Sequence, residues 1–194
     1  MWVRSAAIRP VPAHAVLSRE ALEGVEEWLG DDEATTEARL TEIFEGLEER
    51  QPALAERLGT AFSRCRDEVA EALGYFLGLT MFRAFEEVFG ERLATATPEA
   101  LAGAEEALTL DEELRGGDPA EAVDSDDVVA MEQPHVVTYI HEHIDTALEL
   151  HADSVDVDAV HAMYRVLLVE LLALSYAVEA PEGTLALDGG EMLA

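Results

Sequence analysis

Lysine is missing from this sequence of 194 residues, so every one of its 12 basic residues is an arginine. They face 42 acids, for a formal net charge of −30. A surface of that sign repels nucleic-acid phosphate and anionic lipid. Cysteine occurs once, at Cys65, so no disulfide within the chain can staple the fold. Long apolar runs are missing too. The longest uncharged stretch in a helical pattern is "ALGYFLGLTMF", residues 72–82, far short of the roughly 20 residues needed to cross a bilayer. Near the start, Pro10 and Pro12 interrupt any secretion-signal core. These absences exclude nucleic acid and membrane as ordinary partners and point to a cytoplasmic protein.

What is present is enough apolar material to fold. The hydrophobic content is 49%, which an acidic disordered chain lacks. The length suits a single domain, residues 1–194. Val, Ile and Thr form no clean alternating run, whereas Ala, Leu and Glu recur at helical spacing, so the expected class is all-α, a multi-helix bundle.

After an irregular arm over 1–17, Ser18 caps a helix that Gly30 closes. Further helices are expected over 33–49, from Pro52, over 67–89 up to Gly90, and over 98–115 as one or two pieces. A short one precedes Gln133-Pro134, a long one runs to about Leu150, and the last covers 157–179. The Gly/Asp/Pro-rich stretch over about 115–127 reads as a linker and the residues after Pro181 as a loosely packed tail.

Two Gln-Pro pairs suggest an internal repeat. Placing Gln51 on Gln133 matches Leu54 with Val136, Leu58 with Ile140, Phe62 with Ile144 and Cys65 with Ala147. Each copy leads into a nearly all-apolar helix, "GYFLGLTMFRAF" and "MYRVLLVELLAL". The reading is two duplicated helical hairpins, in halves 33–90 and 124–179, around two apolar helices that must be surrounded. Gly74 and Gly78, one turn apart on the first of these, predict close approach of a neighbouring helix. Glu170 interrupts the second. It either meets Arg83 or Arg165 in the core or marks a strip that reaches solvent, and the solvent strip is the expectation.

"EQPHVVTYIHEHIDTALELH", residues 132–151, concentrates four of the six histidines. On a regular helix His141 and His143 point about 200° apart and cannot share a metal. His141 is expected to pair locally with Asp145. If 134–150 and 157–179 form an antiparallel hairpin, His143, His151 and His161 gather at its loop end near Asp153, Asp156 and Asp158, a set that could hold zinc or another divalent ion. No spacing matches an established ligand signature, and no catalytic triad or phosphate-binding loop can be assembled. No catalytic residue and no cofactor follow from the sequence.

Two functions fit best. One is a non-catalytic interaction module whose acidic stretches, 24–37 and 124–133, attract a basic protein partner. The other is a metal-binding protein or metal-dependent enzyme built on the three histidines. Acidity adapted to salt is a third account. The apolar surplus leaves room for a homodimer.

Overall fold

A computed structural model describes residues 7–30, 32–116 and 125–182. Eight α-helices carry most of the described chain: α1 (Arg19–Leu29), α2 (Glu33–Arg50), α3 (Pro52–Arg64), α4 (Glu68–Phe89), α5 (Pro98–Gly116), α6 (Ser125–Glu132), α7 (Pro134–Leu150) and α8 (Val157–Ala177). Extended pairing among the described residues is limited to one isolated antiparallel bridge, Leu93 with Val178. The protein is an all-α multi-helix bundle.

Local chemistry sets the boundaries. The side chains of Ser18, Asp32, Asp67 and Asp156 each accept a backbone N–H in the first turn of the helix that follows, satisfying donors that have no partner inside a helix. Pro52 and Pro134 open α3 and α7, where a missing N–H costs nothing. Gly30 and Gly90 end α1 and α4 at φ of 77° and 52°, a region open to glycine at little cost. Residues 98–116 form one helix rather than two, and α8 stops at Ala177, where Val178 turns extended. Most of the expected linker (117–124) and the tail from 183 lie outside the described residues.

α4 and α8 pack against each other at the centre, and every other helix leans on one or both. The contact is close where glycine permits it. A side-chain carbon added at Gly74 would sit 2.2 Å from Met163 Cγ, and one at Gly78 would sit 3.0 Å from Glu170 Oε2.

The remaining helices divide alike around the two central ones. α1 lies on α4 as α5 lies on α8. α2 joins α3 as α6 joins α7, and α7 touches α4 as α3 touches α8. α7 packs mainly against α1, α4 and α6 and meets α8 through His141 and Tyr164.

The two Gln-Pro pairs have the same backbone and the same task. Gln51 and Gln133 sit at φ, ψ of −133°, 57° and −132°, 63°, both buried. Gln51 donates to Ala94 O and accepts from Ala96 N–H. Gln133 donates to Ala15 O and to Ser175 Oγ, and accepts from Leu17 N–H. Each amide therefore clamps one extended segment across two residues and satisfies backbone groups that would otherwise be buried unpaired. The arm before α1 is consequently part of the core, with Ile8, Val11, Ala15 and Leu17 buried.

Candidate functional site

His143 has the most contacts of the three candidate metal ligands. It sits where α1, α4 and α7 meet, half-buried, 4.3 Å from the Tyr139 ring centroid and 5.5 Å from that of Phe76. Its Nδ1 lies 3.0 Å from Tyr139 O and its Nε2 3.5 Å from Glu26 Oε1. With an acceptor facing each nitrogen, the ring has the surroundings of a structural polar link between α1 and α7. Next to it Tyr139 is buried, and burial, with Glu26 close by, drives its phenol far above the ordinary range.

His151 caps the end of α7, exposed, and His161 is exposed on α8. Eight residues of helix separate His143 from His151 by about 12 Å, and His161 is on α8. Among the described residues no group of three or more His, Cys, Asp or Glu side chains is placed to hold a metal ion, so His143, His151 and His161 are not brought together.

His141 turns to Tyr164, with Nε2 2.8 Å from its hydroxyl, rather than pairing with Asp145. His14 is half-buried, with Nε2 3.2 Å from Val178 O. Cys65 is half-buried, and its thiol donates to Asp67 O at 3.4 Å.

Glu170 overturns the expectation of a solvent-reaching strip. Its exposure is 0%, and neither carboxyl oxygen has a hydrogen-bond partner. Arg165 is taken by Thr109, Glu105 and Glu112, and Arg83 by Glu86 and Glu87. Burial alone pushes the Glu170 carboxyl well above the ordinary range, because a low-dielectric interior disfavours the charged form.

The disposition of charge is the dominant surface feature. Arginines are used up inside the molecule. Arg19 grips Glu142 through its two terminal guanidinium nitrogens and meets Glu23 through Nε. Arg50 pairs with Glu86, Arg57 with Glu105 and Arg115 with the buried Asp111. Arg9 stacks on Tyr176, and Arg39 and Arg83 flank Trp28. Arg92 donates to Glu179 O.

Among the described arginines, Arg64 and Arg66 alone make no such contact. Glu33, Glu37, Glu42, Glu45, Glu48 and Glu49 along α2, by contrast, are all exposed and make no ion pair among the described residues. The second acidic stretch is partly internal, since Glu132 accepts Val11 N–H and Ser125 donates to Asp111.

Glu49, the last of the α2 acids, borders an open cleft of about 770 Å³ between α2 and α4, lined also by Glu86, Glu87, Glu91, Leu93 and Thr95 with Arg50 and Arg83. Burial pushes the Glu86 carboxyl up, against the pull of Arg50 and Arg83. This arrangement presents carboxylates to solvent and spends its cations on internal contacts. Chemically it can attract cations and cationic side chains.

No described helix is long and apolar enough to cross a membrane. No protein-family model matches the chain, and neither a curated protein nor a solved structure matches it.

Proposed function

We propose that this chain is a non-catalytic, acidic helical interaction module that binds a basic protein partner. The observation that carries the reading is the one-sided use of charge. Almost every described arginine is held by an acid, a ring or a carbonyl of the same chain, while the acids of α2 stay unpaired in water. Unpaired surface carboxylates steer a cationic partner and speed its encounter, and they repel phosphate and anionic lipid. The bonded polar groups fit this reading, because Gln51 and Gln133 clamp extended segments and His143 faces Glu26 of α1.

Capture on the immobilised chain, followed by washes of rising ionic strength, tests the proposal. Proteins retained from a lysate are expected to be basic and to elute over the range where the screening length contracts from about 10 Å toward 3 Å. Retention that ignores ionic strength, or a retained set with no basic bias, contradicts it.

A further inference from the structure

α5 carries two apolar rows, and the bundle uses one of them. Leu101, Ala104, Leu108 and the buried Asp111 face inward, toward α8, α3 and α6. The second row is Ala100, Gly103, Ala107, Leu110 and Leu114. Its spacing of three, four, three, four is the interval that keeps an apolar seam facing a partner helix. Ala100 and Gly103 are exposed, Ala107 is half-buried, and Leu110 and Leu114 are 50% and 47% exposed. A side-chain carbon added at Gly103 would meet nothing within 4 Å, so the small residues leave a shallow, open approach beside the two leucines.

The flank of this seam is charged at the same period. Glu99, Glu106 and Glu113 recur every seventh residue and are all exposed, in the positions that set partner choice in paired helices. α1 has the corresponding place on α4 but ends at Leu29 after 11 residues, whereas α5 runs for 19. The two leucines therefore sit on turns that the packing on α8 does not by itself demand.

We propose that the outer face of α5 docks an amphipathic helix of the basic partner, its apolar seam on Ala100, Gly103, Ala107, Leu110 and Leu114 and its arginines or lysines on Glu99, Glu106 and Glu113. This rests on the reading of the chain as an acidic interaction module, and it names the surface and the form of the partner. A second copy of this chain is a poor occupant, because its own α5 brings the same row of glutamates and like charges across the seam repel.

The probe is a synthetic peptide of three heptads with leucine at both seam positions and arginine at the flanking ones. A scrambled peptide of the same composition and a version with glutamate flanks serve as controls. Binding is followed by calorimetry at about 0.15 M salt, where the screening length is about 8 Å, against the wild type, Leu110→Asp/Leu114→Asp and Glu106→Lys/Glu113→Lys. All four positions are exposed, and circular dichroism confirms that each variant folds.

The seam peptide is expected to bind the wild type at least about tenfold more tightly than the scramble, the least expected from covering one leucine side chain. That preference should vanish in the aspartate variant, and affinity should fall about tenfold in the lysine variant, since like charges replace complementary ones. Amide exchange over 98–116 should slow in the complex.

Equal affinity for seam and scrambled peptides, or an unaffected aspartate variant, overturns the docking face while leaving the acidic module standing. No binding of either arginine peptide overturns both. A wild-type dimer that the aspartate substitutions make monomeric shows that a second copy covers the face, and it too overturns the proposal.

Discussion

Glu170→Gln is expected to be more stable than the wild type at neutral and alkaline pH, with the advantage shrinking to nothing near pH 4. In the unfolded chain this carboxyl ionises around its ordinary value of 4.5, whereas in the bundle burial raises it well above that. Below the unfolded-state value both states hold the proton, and pH does not matter. As pH climbs past that value the unfolded chain gains by ionising while the folded one cannot follow. Each pH unit in that window costs the wild type about 1.4 kcal/mol relative to the amide, and the loss levels off once the buried group also ionises.

Urea titrations of both proteins from pH 4 to pH 9 would reveal the gap. Two parallel stability profiles would mean that the carboxyl is solvated or paired, contrary to its complete burial opposite Gly78.

Gln133→Ala should be among the most destabilising single substitutions in the chain. It strips a partner from Ala15 O, from Leu17 N–H and from Ser175 Oγ and leaves a void in the core. An orphaned buried group costs about 1–3 kcal/mol, so a total loss of about 3 kcal/mol or more is expected, together with faster proteolysis of the arm before α1. Gln51→Ala should cost somewhat less, because Ala94, which takes its donated bond, is only half-buried. Chemical denaturation of both variants measures this directly. Losses below about 1 kcal/mol would show that the arm is held by its apolar side chains alone.

The two glutamines share a backbone conformation and a clamping role, and α1 and α5, α2 and α6, and α3 and α7 have matching neighbours. The glutamines are fixed in this role by the backbone groups that they bond.

Helix positions were legible because their signals are local: Ser18, Pro52 and Pro134 at the starts, Gly30 and Gly90 at the stops. So was the central place of α4 and α8, since a helix apolar on every side has to be surrounded. Glu170 was not, because its fate depends on space opposite Gly78, which belongs to another helix. The neighbours of the histidines were not legible for a similar reason: α7 leans on α1 and α4, and no periodicity within 134–150 says which neighbour it will choose. The arm at 7–17 looked irregular, and it is, yet its backbone is bonded by side chains more than 100 residues away.

The outer seam of α5 was present in the spacing of Ala100, Gly103, Ala107, Leu110 and Leu114. It overlapped a second apolar row one residue out of phase, and burial alone separates the row that builds the core from the row that faces water.

The most direct test of the interaction reading is the affinity of the arginine-flanked seam peptide for the wild-type chain as a function of ionic strength. Affinity that falls steadily as salt rises, by several-fold between about 0.05 M and about 0.5 M as surface charges are screened, is the predicted result. An affinity that is flat across that range would contradict it.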